Sequence, residues 1–125
     1  MRLMKSNSKD KPLVFLKLGN GAWHYNFNIK EVEREEEDGK KTKSFDYDTV
    51  QVWGTPTSGS VKKAVIAEHW DVTQEINLAN NYGRFQLGLA KEEAFRDDYI
   101  EYLKQTDEIK TMVDLDFKEN KELIN

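Results

Sequence analysis

Two turn signals sit in the first half of the chain, Asn20-Gly21 and Asp38-Gly39. Asn-Gly and Asp-Gly are the pairs that a two-residue type I′ turn favours, because both central positions need φ > 0. Folding the chain at both fixes a register. The first turn sets Leu18 opposite Trp23, Leu16 opposite Tyr25 and Val14 opposite Phe27; the second sets Phe27 opposite Val50 and Tyr25 opposite Val52. All of these side chains then share one face of a three-stranded antiparallel meander, with Phe27 deep in the core. Independent turns need not agree on a single apolar face. Their agreement marks Leu13–Leu18, Ala22–Arg34 and Lys43–Trp53 as the strands.

Beyond Ile29 the apolar residues of the second hairpin change face. In the same register Val32 pairs with Phe45 and Tyr47 sits opposite Lys30, on the side away from Tyr25, while Asp46 and Asp48 point where the core should be. A long twisted ribbon whose tip shows its other face accounts for the switch, and so does a pair of bulges. Val32, Phe45 and Tyr47 are therefore the candidate interaction residues, an apolar patch rimmed by charge where an isolated monomer would place polar groups. The competing reading is that Val113–Phe117 folds back and covers the patch.

The remainder reads as helices, giving an α+β fold: a three-stranded antiparallel meander followed by two or three helices. Residues 1–11 are polar and read as a flexible N-terminal arm ahead of a single domain over residues 12–125. Gly54 to Ser60 is a loop, with Ser60 as N-cap for a helix over Val61–Trp70. Thr73 starts a second helix carrying Ile76, Leu78, Ala79, Tyr82 and Phe85, and a third begins near Glu92 with Phe95, Tyr99, Tyr102 and Leu103 on one side. The last segment has two readings. Ile109, Met112 and Val113 continue a helical stripe, whereas Val113, Leu115 and Phe117 alternate with Asp114 and Asp116 as in a strand, and an extended segment after Lys110 is the expectation.

Composition narrows the chemistry. Charged residues make up 34% of the chain and the formal net charge is −4, which disfavours a general binder of nucleic acid or anionic membrane. No stretch approaches the ~18 apolar residues of a membrane span. Cysteine is absent, which removes disulfides, thiol catalysis and Cys-based zinc sites. Gly54-Thr-Pro-Thr-Ser-Gly59-Ser60 has the glycine separation of a phosphate-binding loop, but Ser60 stands where the lysine belongs and Pro56 removes an N–H from the cradle. His24 and His69 match no zinc spacing, and Asp97, Asp98, Asp114 and Asp116 read as solvated faces. No catalytic, cofactor-binding or metal-binding residue is assigned, and no small-molecule substrate. The strand aromatics evoke a base-stacking sheet, but acidic neighbours and core assignments make nucleic acid an unfavoured partner.

From Ser60 to Leu103 the chain places Val65-Ile66 on a short helix, then Trp70-Asp71, Glu75 opening the next helix, and Tyr99-Ile100-Glu101-Tyr102 further on. In these residues it resembles small uncharacterised phage and prophage proteins of Bacteroides-type gut bacteria, encoded near virion or tail genes. The resemblance implies a structural or assembly accessory role through protein–protein contact, with protein partners that include further copies of the chain. It places the protein in the virion, or in the bacterial cytoplasm during assembly. The alternative is a cytoplasmic regulatory or adaptor module associated with nucleic acid, and a small enzyme is the third reading.

Overall fold

The computed structural model describes residues 4–124. Four antiparallel strands, β1 (Met4–Ser8), β2 (Phe15–Lys17), β3 (Ala22–Glu35) and β4 (Lys41–Trp53), form one sheet in the order β1-β4-β3-β2. Three helices follow: α1 (Ser58–His69), α2 (Val72–Gln86) and α3 (Glu93–Glu119). The fold is α+β, with one strand more than the turns alone indicated.

That extra strand lies in the segment expected as a flexible arm. β1 pairs antiparallel with β4, from Met4 opposite Thr49 to Ser8 opposite Phe45; residues 1–3 lie outside the described residues. Its sequence has no apolar alternation because polar partners hold it. Asn7 donates to Asp46 at 2.6 Å and to Ser44 at 3.0 Å, and Lys5 reaches Asp48 at 3.8 Å.

Both turns lie where expected, and both are of another type. Neither Asn20 nor Asp38 has positive φ, whereas Gly21 and Gly39 do, at 86° and 79°. A type I′ turn needs both. The hydrogen bonds Leu18 N–H to Ala22 O and Glu36 N–H to Lys40 O, 2.9 and 2.8 Å, close three-residue loops instead, with glycine in the left-handed position. In the first hairpin the register moves by one residue, so Phe15, not Leu16, faces Tyr25. Every β2 side chain changes face as a result. Phe15 is 1% exposed, and Leu16 is 40% exposed.

The second hairpin differs in two steps. At the tip Glu35 pairs with Lys41, and an extra residue in β3 then shifts the register between Phe27 and Lys30. Asn28 sits in this bulge at φ 51°. At the base the displacement totals two residues: Tyr25 pairs with Val50 and Trp23 with Val52. An even displacement keeps faces intact, so the predicted core residues of β3 and β4 remain together. Phe27 is 3% exposed.

Helices α1 and α3 cover this face through Val61, Val65, Ile109 and Val113, over Phe15, Tyr25, Phe27 and Val50. Tyr25 stacks between Phe15 (5.4 Å) and Phe27 (5.1 Å), and Phe117 caps Phe15 at 4.7 Å. Helix α1 starts earlier than expected. Thr57 is its N-cap, and Ser60 is the reciprocal partner in a capping box rather than the cap itself. Asp71, not Thr73, caps α2 through the same motif with Gln74. The segment after Lys110 is helical to Glu119, against the extended expectation, because Ile109, Val113 and Phe117 meet the sheet at helical spacing.

The helical conformation separates Asp114 from Asp116. Asp114 accepts from Ser58 (2.8 Å) and Lys62 (2.7 Å), tying α3 to α1, and these contacts hold its carboxyl below the usual carboxylate range. Asp116 accepts from the Tyr25 hydroxyl at 2.5 Å. Burial pushes the Asp116 carboxyl up, against the Tyr25 hydrogen bond, and Glu119 adds to the rise. A carboxyl raised in the fold gives its full stability below the unfolded value, about 3.9, and loses it as pH rises through the folded one. Asp116→Asn keeps an acceptor for Tyr25 and removes the charge. Its melting temperature is expected to exceed the parent's by about 1–2 °C at neutral pH, the small figure reflecting a half-exposed group, and the gap is expected to close near pH 3. Thermal unfolding at the two pH values checks this; a variant equally destabilised at both would refute it.

Candidate interaction surfaces

The structure divides the patch predicted on the ribbon. Val32 pairs with Ser44, whereas Phe45 pairs with Glu31 and with Ser8 of β1, and Tyr47 pairs with Ser6. Alternation along β4 puts Ser44, Asp46 and Asp48 on the face of Val50, and Phe45 and Tyr47 on the other. Val32 therefore lies on the face opposite Phe45 and Tyr47, and the three residues do not form one surface. An unbulged register needs a switch in both strands; the bulge makes it in β3 alone. All three side chains are half-buried. Val113–Phe117 does not cover them, since Val113 and Phe117 pack into the core.

On the Val50 side of the ribbon, Lys5, Asn7, Asn28, Lys30, Asp46 and Asp48 line an open cleft. Five of these groups satisfy one another: Asn28 donates to Asp48 at 3.0 Å, beside the Asn7–Asp46 and Lys5–Asp48 contacts. The glycine loop before α1 is likewise committed. The Ser60 N–H goes to the Thr57 hydroxyl and the Thr57 N–H to the Ser60 hydroxyl, 3.1 and 3.0 Å, so the capping box takes up two of the donors that an anion would use. His24 lies 3.3 Å from Gln51, and His69 Nδ1 lies 2.9 Å from the Val65 carbonyl. Among the described residues no cluster of three or more His, Cys, Asp or Glu is placed to hold a metal ion. No helix among them is long and apolar enough to cross a membrane.

An uncommitted apolar surface lies on the helices, where the sequence pattern indicates no site. Helix α2 has no buried residue. It packs against the N-terminal half of α3, where Tyr82 meets Tyr99 (4.9 Å), Tyr99 stacks on Tyr102 (6.0 Å), and Trp70 meets Tyr102 edge-on (5.1 Å). The Arg96 guanidinium lies over the Phe85 ring at 5.7 Å. Tyr102 donates to Glu75 at 2.5 Å, and burial together with that carboxylate pushes its hydroxyl up to about 12.

Glu75, Leu78, Tyr82 and Phe85 are the half-buried stripe of α2 on this side. A second stripe, Val72, Ile76, Ala79 and Gly83, with Leu87 at the C-cap, stands about 120° round the axis at ~100° per residue. Val72 is 71% exposed, Ile76 52% and Leu87 77%. The combined apolar arc spans about 200°, broken only by Glu75 and Gln86, where a helix meeting one neighbour needs ~100°. The signal was present in the sequence as extra apolar positions off the main stripe. Ile100 and Leu103 on α3, each 42% exposed, add to the unpaired apolar surface of the two helices.

No known family model matches the chain, and neither a curated protein nor a solved structure is significantly similar to it.

Proposed function

We propose that this protein is a structural or assembly accessory component that works by protein–protein contact, in the virion or tail region of a phage, reached from the bacterial cytoplasm during assembly. One observation carries the contact role. Helix α2 presents an apolar arc wider than its contact with α3 covers, with Val72 and Ile76 open to solvent. Exposed apolar stripes of this kind mark contact surfaces. Phe45 and Tyr47, half-buried on the outer face of the ribbon, offer a second and smaller contact element. The phage setting rests on the sequence resemblance over Ser60–Leu103.

The test is co-purification. A tagged copy of the gene is expressed during particle production, and particles are banded on a density gradient. The chain is expected in the particle band at constant stoichiometry, measured by mass spectrometry. A protein abundant in the lysate and missing from the band would overturn the assembly role.

A further inference from the structure

The uncovered stripe of α2 has a charge character that identifies its occupant. The chain is 34% charged, yet α2, Val-Thr-Gln-Glu-Ile-Asn-Leu-Ala-Asn-Asn-Tyr-Gly-Arg-Phe-Gln, has Glu75 and Arg84 as its only charges. Both are engaged: Glu75 accepts from Tyr102 at 2.5 Å and Arg84 donates to Asn81 at 2.8 Å. Beside Val72, Ile76, Ala79 and Gly83 the stripe is bordered by Gln86 and then Glu75 on one side and by Asn80, Thr73 and then Arg84 on the other, so the side chains nearest to it are uncharged.

We propose that this stripe is a self-association surface on which a second copy of the chain packs α2 against α2, antiparallel about a two-fold axis near Ala79 and Gly83. The inference rests on the contact role proposed above and names its partner and surface. Two copies that each carry a net charge of −4 repel. They meet at low electrostatic cost where the facing surfaces carry little charge, and the α2 stripe, uncharged itself with Glu75 and Arg84 only at its margins, offers such a surface. A partner of opposite charge would be recognised by a surface of net charge, whereas α2 carries one charge of each sign. Isologous contact requires a self-complementary patch. The small residues Ala79 and Gly83 at its middle allow close approach of the two axes, and Val72 and Ile76 of each copy lie along the seam.

Size sets the strength. A helix of 15 residues is about 22 Å long, and a helix–helix face of that length falls at the low end of specific interface areas. The expected dimer therefore dissociates in the micromolar range and is visible as concentration dependence.

The test uses the full chain in sedimentation or light scattering from about 1 μM to about 1 mM. The mass is expected to rise from 14.6 kDa toward twice that value. Ile76→Glu alters a side chain that is 52% exposed in the monomer, so circular dichroism and melting should be preserved while the mass stays at the monomer value. Because the chain has no cysteine, single replacements report proximity cleanly. Ala79→Cys should form a disulfide-linked dimer on mild oxidation, and Asn77→Cys, on the other side of α2, should not. A wild-type chain that is monomeric throughout, an Ile76→Glu variant that associates like the parent, or equal cross-linking at both positions would each overturn the dimer. The gradient experiment is independent: a monomeric chain found in particles sinks the dimer and leaves the assembly role standing.

Discussion

Phe15→Ala is expected to cost about 3–5 kcal/mol, whereas Leu16→Ala costs under about 1 kcal/mol. Phe15 is 1% exposed, stacks on Tyr25 at 5.4 Å and lies against Phe117 at 4.7 Å. Truncation leaves a cavity bounded by aromatic rings on two elements, which collapse fills poorly. Leu16 is 40% exposed and sits opposite His24, on the side of the sheet away from the helices. For a domain of this size the Phe15 change should lower the melting temperature by roughly 10–25 °C. Urea denaturation of the two variants measures the difference directly. The reverse ranking would restore the two-residue turn and put Leu16 in the core.

This pair also isolates what the sequence conveys and what it withholds. The turn residues mark where the chain reverses, and they marked both hairpins correctly. They do not distinguish a two-residue type I′ loop from a three-residue loop with glycine in the left-handed position, because Asn-Gly and Asp-Gly serve both. The ambiguity is one residue. In β2, only Phe15–Lys17 long and apolar on both sides, one residue exchanges the buried face. In β3 and β4 the bulge at Asn28 adds a second residue, and the core set of Trp23, Tyr25, Phe27, Val50 and Val52 survives. The same bulge undid the patch of Val32, Phe45 and Tyr47, because it changes the face of β3 without changing that of β4.

Strand β1 was illegible for a different reason. Met-Lys-Ser-Asn-Ser carries no apolar period, and its place in the sheet is set by backbone pairing and by Asn7 and Lys5 meeting Asp46 and Asp48. The sequence register puts those aspartates on the core side, as the structure does, but nothing in them identifies the strand that meets them. The helical surface was legible in part. Ile76, Leu78, Ala79, Tyr82 and Phe85 identified α2, but periodicity identifies a helix without saying which of its faces finds a neighbour. Only the placement of α3 shows that Leu78, Tyr82 and Phe85 are covered and that Val72 and Ile76 are not.

Val113→Asp is expected to unfold the protein, and Leu115→Asp to leave it folded. Both positions belong to one apolar face if the segment is extended, and to different faces if it is a helix. In α3, Thr106, Ile109 and Val113 follow one another at helical spacing, at 5%, 9% and 0% exposure. Leu115 is turned about 200° from Val113 and is 50% exposed. A carboxylate at position 113 would lie among Val61, Val65 and Ile109 with no partner, combining an unpaired buried charge with lost packing. Such changes cost about 4–5 kcal/mol or more, comparable with the whole stability of many domains of this size. At position 115 the new charge is solvated. It loses only what a half-exposed leucine contributes, together with a few tenths of a kcal/mol for an anion near a helix C-terminus. Far-ultraviolet circular dichroism and the denaturation midpoint separate the outcomes: collapse of the helical signal for Val113→Asp, and a parent-like spectrum for Leu115→Asp. Equal losses at the two positions would mean that the segment meets the sheet as a strand. Phe117 and Asp116 would then contact Phe15 and Tyr25 by some route other than the face of α3.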